Sequence, residues 1–424
     1  MKKILLLLFS LGWLTAAAQD TLTIGTCYDL ARQNWPLLHQ LDLISWSNNL
    51  RLQNLSKNYL PQASLNVNAS YQSDVTRINL NIPAQFGSLH IPEIEKDWYK
   101  ATLDVSQAIY DGQVTSYNKK LEKANLAVDQ TSVESELYQL KEQVNQLYFT
   151  ILLLRENQKL LESNRDRLDA KLKEVRVAVN NGAALPMNAD LLEAELIRND
   201  QNIDETKSNA KAARAMLSNL INRTVTPTTV LEMPATADEI KPFENNRLEN
   251  KVFELQESRL GIMHDMVTTK WNPKIYAYAQ AGYGRPGLNM LDPDFTPWGV
   301  IGAKITWNFW SWNANKNEKK ILNIQEDILR TRQSAFDRNL RIQVERDLAE
   351  IEKAETALLK DTDLISLRSR ITQAASSQLD HGVITSDDYI TRLHEETLAR
   401  LNYEIHKIEL AKARLRYLYN QGKL

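Results

Sequence analysis

The chain has 424 residues, 43% of them hydrophobic, with 51 basic against 53 acidic side chains and a single cysteine. Balanced charge, with basic residues spread along the chain, argues against nucleic acid as a partner, and one cysteine excludes an internal disulfide. No stretch beyond the start is apolar enough for a membrane helix, so any membrane span must be made by strands with alternating faces.

Residues 1–18 read as a secretory signal peptide. Lys2 and Lys3 open it, Ile4 to Leu14 form its apolar core, and Ala16, Ala17 and Ala18 place cleavage near Ala18 or Gln19. The core is too short to span a bilayer as an anchor. A lipid-anchored cysteine would follow the cleavage site directly; Cys27 lies further on and is read as an ordinary position.

The chain then repeats itself. A first structural repeat is expected over 19–222, with a helix at about 29–58, a β-hairpin at about 62–110, a long helix at 113–181 and a return helix at 186–222. A linker, read as an equatorial crossover, fills 223–245. The second repeat, 246–424, carries a helix at about 246–270, a hairpin at about 273–309, a long helix at 313–381 and a return helix at 386–420. Asn58-Tyr59-Leu60-Pro61 answers Trp271-Asn272-Pro273, with the prolines offset by 212 residues. Tyr110-Asp111-Gly112 answers Trp310-Ser311-Trp312, and Asn180-Asn181-Gly182 answers Asp380-His381-Gly382, both at an offset of 200. The difference falls in the loops between paired strands, about 73–97 and 284–297, where insertion is tolerated.

Each expected strand alternates strictly. Leu65, Val67, Ala69 and Tyr71 interleave with Ser64, Asn66, Asn68 and Ser70; Ala101, Leu103, Val105 and Ile109 with Thr102, Asp104 and Ser106. Ile275, Ala277, Ala279 and Ala281 interleave with Tyr276, Tyr278 and Gln280, and Ile301, Ala303, Ile305, Trp307 and Phe309 with Gly302, Lys304, Thr306 and Asn308. Period two over about ten residues describes a strand long enough to cross a bilayer, with one apolar and one wet face. Aromatic side chains crowd the strand ends: Tyr71, Trp98, Tyr99, Tyr110, Tyr283, Trp298, Trp307, Trp310 and Trp312 are candidates for an interfacial belt.

From Gln113 to Asn181 there is neither proline nor glycine, and Leu137, Leu140, Val144, Leu147, Ile151 and Leu154 step by three and four, a heptad seam. Such a helix is roughly 100 Å long. The two shorter helices of each half together match one long helix, so they are expected to run end to end beside it. The charges of Lys171, Lys173, Glu174 and Arg176 read as a solvated face. Four strands cannot close a barrel, since transmembrane barrels start at about eight. The expected fold is therefore an α+β membrane protein with an internal two-fold repeat. Its four strands per protomer would be shared among copies in one β-barrel, and the short strand-to-helix turns on one side with long loops on the other follow the outer-membrane habit.

With its proline-led strands after Asn58 and Asn272, its Tyr110-Asp111-Gly112 strand-to-helix junction and its paired helical turns at Gly182 and Gly382, the sequence resembles the TolC family of outer-membrane efflux proteins over nearly all of the mature chain. The resemblance implies a homotrimer whose outer-membrane β-barrel of twelve strands continues into a long periplasmic α-helical barrel, an outer-membrane location with a large periplasmic portion, and a passive exit duct of a tripartite efflux or type I secretion system. Its partners would be outer-membrane lipid, a periplasmic adaptor (membrane fusion) protein and, through it, an inner-membrane pump. It also implies that the hairpin tips, Asn181, Gly182 and Ala183 with His381, Gly382 and Val383, meet the adaptor, although the family often flanks the glycine with valine and leucine. Asp388, six residues after Gly382, matches an aspartate that helps close the tube in family members, with Asp387 beside it. Asp190 is the first-half candidate; lying eight residues after Gly182, it reads as marking a turn two residues longer. Helix capping is the alternative role for Asp387 and Asp388.

No catalytic, cofactor or metal constellation is legible. His39, His90, His264, His381, His394 and His406 include no HExxH and no clustered ligand set. His394-Glu395-Glu396 reads as a helix surface, and Gly282-Tyr283-Gly284 ends a strand with no helix behind it to hold phosphate. The rival reading is a periplasmic coiled-coil adaptor or scaffold with small β-domains.

Overall fold

The structure, a computed structural model, describes residues 21–76, 94–235 and 241–424. The signal peptide, His90, most of the 73–97 loop and part of the 223–245 linker lie outside the described residues. In chain order the elements are β1 (Thr21–Leu22), α1 (Ile24–Asn34), α2 (Leu38–Ser56), β2 (Gln62–Tyr71), β3 (Asp97–Tyr110), α3 (Val114–Asn180), α4 (Pro186–Ile221), β4 (Val230–Leu231), α5 (Leu248–Thr268), β5 (Lys274–Arg285), β6 (Thr296–Thr306), α6 (Ala314–Asp380) and α7 (Ser386–Gln421).

The repeat is closely kept in the helices. The long helices α3 and α6 both have 67 residues, and the return helices α4 and α7 both have 36. No described helix is long and apolar enough to cross a membrane. The chain divides into two units, 1–40 with 133–250 and 335–424, and 41–132 with 251–334. Each long helix gives its N-terminal part to the second unit and the rest to the first.

The second unit holds the sheet. The two hairpins join into one antiparallel sheet in the order β2-β3-β5-β6, because β3 pairs with β5 along most of its length. Beside it, Asn48 of α2 donates to the Glu122 carbonyl and Gln130 donates to Ser45, which holds α2 against the start of α3. Lys270–Glu318 and Arg330–Glu257 ion pairs lie between the α5 side and α6. The strand-to-helix junctions repeat their backbone: Gly112 and Gln113 in one half, Trp312 and Asn313 in the other, all take positive φ. At the first, Asp111 accepts from the N–H groups of Gln113 and Thr115 and from the Tyr59 hydroxyl. Ser311 stands at the equivalent place.

In the first unit, β1 and β4 form a two-residue parallel pair that nothing in the sequence pattern announces. The Tyr148 hydroxyl binds the carbonyls on either side of it, Leu22 at 2.8 Å and Glu232 at 2.6 Å. Cys27 is fully buried, and burial pushes its thiol up to about 12. Leu168, Leu172, Val175, Ala189, Leu192, Ala375, Leu379, Tyr389 and Leu393 form one core shared by α3, α4, α6 and α7 near the hairpin ends.

Several expectations need correction. The first helix is two helices, because Pro36 forces Trp35 into extended backbone (ψ 128) and stops α1. The last strand ends at Thr306, short of Trp307 and Phe309. Lys171 is buried rather than solvated: its ammonium pairs with Glu174 and Asp380 and lies 5.7 Å from the centre of the Tyr389 ring. Glu396 is likewise buried, because it follows Leu393 on the packed stripe of α7 and meets Arg167 of α3.

Candidate functional site

Two places carry chemistry that the packing does not consume. The first is the sheet. Cross-strand pairing puts Leu65, Val67, Leu103, Ala281 and Ile301 on one face and Asn66, Asn68, Thr102, Asp104 and Gln280 on the other. The apolar face is bare: Leu65 is 72% exposed, Val67 75% and Ile301 87%. A continuous apolar surface of this kind is not left in water. On the opposite face Asp104 accepts from Asn66 at 2.6 Å and Thr102 at 2.9 Å, and also from Gln280, so the polar side is wired across three strands. A shift in β3 between Ala108 and Tyr110 moves Tyr110 opposite Ile275, on the apolar face. Both outer strands, β2 and β6, have one unpaired edge among the described residues.

The aromatic belt candidates divide by face. Tyr71, Tyr99 and Tyr283 lie on the apolar face at one end, where Phe295 stacks with Tyr99 and Tyr283 at 6.3 and 5.8 Å. Trp307, Trp310 and Trp312 are exposed at the other end, with Trp310 and Trp312 edge-to-face at 5.6 Å. Trp98 and Trp298 depart from the belt: they pair with Ser70 and Gly282 and therefore stand on the polar face. Their parity against Val67, Leu103 and Ile301 in the sequence carries that signal.

The second place is the pair of helical turns. Gly182 and Gly382 both close a helix at positive φ, 73° and 70°, the left-handed backbone that glycine takes without strain. Asn181, Ala183, His381 and Val383 are exposed around them. In the second turn Thr385 and Asp388 form a reciprocal capping box: the Thr385 hydroxyl accepts from Asp388 N–H, and the Asp388 carboxylate accepts from Thr385 N–H at 3.1 Å and hydroxyl at 2.7 Å. These bonds from Thr385 hold the Asp388 carboxyl below its ordinary range. Asp387 is exposed next to it.

The first turn is no longer than the second. Pro186 and Ser386 both open their return helices, and position 188 matches position 388. The equivalent of Asp388 is thus Asn188, and Asp190, which is exposed, stands where the second half has Ile390. Leu185 cannot form a capping box, so the Asn188 side chain reaches across instead and accepts from Ser386 N–H at 3.2 Å. Just inside the turns, Arg167 and Arg400 converge on buried Glu396. Burial works to raise the Glu396 carboxyl, and the two guanidinium groups more than offset it, so the group is held low. Lys171 follows the mirror logic: burial disfavours its charge, and Glu174 with Asp380 outweighs that and raises it. Among the described residues no group of three or more His, Cys, Asp or Glu side chains could hold a metal.

A four-stranded antiparallel sheet interrupted by two helices of 67 residues each defines an α+β fold that solved structures share. No protein-family model matches the chain, and no curated protein matches it in sequence. Among solved structures it is similar to the Campylobacter jejuni CmeC outer membrane channel, with a TM-score of 0.68 and 14% identity over 94% of this chain and 85% of that one. It is similar to the outer membrane protein VceC of Vibrio cholerae (TM-score 0.69, 11% identity, 94% of this chain and 96% of that one). The open state of the Neisseria gonorrhoeae MtrE outer membrane channel gives a TM-score of 0.67 at 16% identity over 94% and 88%. The resemblance to the TolC family thus holds at the level of the fold.

Proposed function

We propose that the protein is an outer-membrane channel, the passive exit duct of a tripartite efflux or type I secretion system. One observation carries this reading: a sheet with a bare apolar face, a hydrogen-bonded polar face and two unpaired edges. Such edges are unstable alone in lipid, where every backbone group needs a partner. Three copies pairing β6 of one to β2 of the next would close a twelve-stranded barrel, with lipid outside and water inside. A coiled-coil scaffold has no use for that apolar face.

In this reading the tips at Asn181, Gly182, Ala183, His381, Gly382 and Val383 face a periplasmic adaptor, which links the duct to an inner-membrane pump. Tyr71, Tyr99, Tyr110, Tyr283, Trp307, Trp310 and Trp312 anchor the sheet at the lipid–water boundaries. Asp388, with Asp387 and Asp190, contributes a ring of carboxylates near the narrow end, and the capping role of Asp388 does not conflict with that. The test is extraction from the outer membrane in detergent as a heat-modifiable trimer; a monomer in the soluble periplasmic fraction would refute the channel. For the aperture, Asp388→Ala is expected to raise single-channel conductance or weaken divalent-cation block, while Thr385→Val, which loses the cap and keeps the carboxylate, does neither.

A further inference from the structure

The polar face of the sheet carries two aromatic rings that are laid down rather than standing. Trp298 on β6 is paired directly with Gly282 on β5, and Tyr278 on β5 is paired directly with Gly302 on β6. In each pair the ring lies over the glycine. A methyl group at Gly282 would overlap the Trp298 six-membered ring, and one at Gly302 would come within 2.7 Å of the Tyr278 hydroxyl and 2.8 Å of its Cζ. The Trp298 ring is pressed down far enough that its Nε1 is shut from solvent with no hydrogen-bond partner among the described residues. An indole N–H ordinarily finds an acceptor when buried, so contact with the strand, not hydrogen bonding, sets this orientation. The two pairs run in opposite senses across the same two strands, glycine on β5 in one and on β6 in the other. Gln280 and Val300 form a cross-strand pair between them.

Glycine inside a strand weakens it and exposes backbone, and an aromatic ring folded over it covers the exposed patch. The geometry points to a use beyond covering: Gly282 and Gly302 set the clearance of the conduit, because they let Trp298 and Tyr278 lie flat along its wall. This rests on the channel reading, in which the Asp104 face lines the pore. With a side chain at 282 or 302, the facing ring must stand up into the lumen, so three copies would place three such rings around it, or six with both positions filled.

The test uses the full-length protein reconstituted in lipid vesicles. Emission from Trp298 is taken as the difference between each protein and its Trp298→Phe counterpart. In the parent, Trp298 is expected to be poorly quenched by aqueous acrylamide and unquenched by lipids spin-labelled on the acyl chain. In Gly282→Ala, acrylamide quenching should increase and the emission shift to the red. Unchanged quenching in a correctly assembled Gly282→Ala protein overturns the proposal and leaves the channel reading intact. Quenching of parental Trp298 by spin-labelled lipid overturns both, since the ring would then face the membrane. If Gly282→Ala does not assemble, Gly282→Ala/Trp298→Ala should regain the trimer, because the ring that the methyl displaces is gone; failure of the double variant rejects the contact.

Discussion

Replacing Glu396 with glutamine isolates the buried charge that ties α7 to α3. One carboxylate oxygen accepts from Arg167 at 2.9 Å, and the other accepts from Arg400 Nε at 3.0 Å and Nη2 at 2.8 Å. The glutamate side chain is 2% exposed, but the arginines are 38% and 42% exposed. Both guanidinium groups can therefore turn to water, and their share falls toward the exposed-pair range of about 0–1 kcal/mol. The glutamine stays buried and aims an NH2 at guanidinium N–H groups, leaving donors unpaired at about 1–3 kcal/mol. With two such pairs the sum is about 1–5 kcal/mol against local opening of the helical ends, and its midpoint is roughly a hundredfold in the opening equilibrium. Hydrogen exchange of the amides over 389–400, measured where exchange reports the opening equilibrium, should quicken by that factor. The carboxyl is held below its ordinary 4.5, so in the parent its contribution is present above 4.5 and lost as pH falls through the lower folded value. The variant should be flat across that window. Exchange within threefold of the parent at neutral pH would refute the account.

Three further outcomes follow from the geometry. Alanine at Gly182 or Gly382 should cost about 1–2 kcal/mol, since a Cβ there meets nothing within 4 Å and only the left-handed backbone resists it. At Gly112, also at φ 73°, a Cβ would lie 3.0 Å from that of Asn272, so Gly112→Ala should be the worst of the three in thermal melting. Asp347→Asn should destabilise by about 1–3 kcal/mol at neutral pH, because the buried carboxylate accepts from Arg416 and Asn420 and an amide NH2 in its place leaves a donor unpaired, although burial raises the Asp347 carboxyl in the parent. The sign follows: the native state holds that proton more tightly, so the parent loses stability as pH rises above 3.8 and the variant does not, which pH-dependent denaturation would register. Cys27 should resist a maleimide at pH 8 in the folded protein and label fully after denaturation.

The repeat, the strands and the long helices were legible because their signals are periodic and long. Alternation from Leu65 to Tyr71 and the seam from Leu137 to Leu154 each persist over enough residues to exclude the other period. The β1–β4 pair was invisible, since two residues carry no period. Lys171 and Glu396 were misread because their partners, Asp380 and Arg167, are more than 200 residues away in the chain. In the first turn the nearest aspartate, Asp190, is out of register with Asp388, and Pro186, the helix opener, marks the true register. Trp98 and Trp298 lie near strand ends like the belt residues, but their alternation with Ile301 and its counterparts puts them on the polar face. The flat rings over Gly282 and Gly302 had no sequence signal at all, since they depend on which residues the pairing brings opposite each other.

The bond from Ser386 N–H to Asn188 can be made in one direction only. Ser386 is matched in the first half by Pro186, which has no N–H to give. Within the proposed trimer, six hairpin tips would meet at six junctions, and this bond fastens only the three that lie inside a chain. The ring is then chemically threefold although its backbone is nearly sixfold. The three junctions between chains must rely on other contacts.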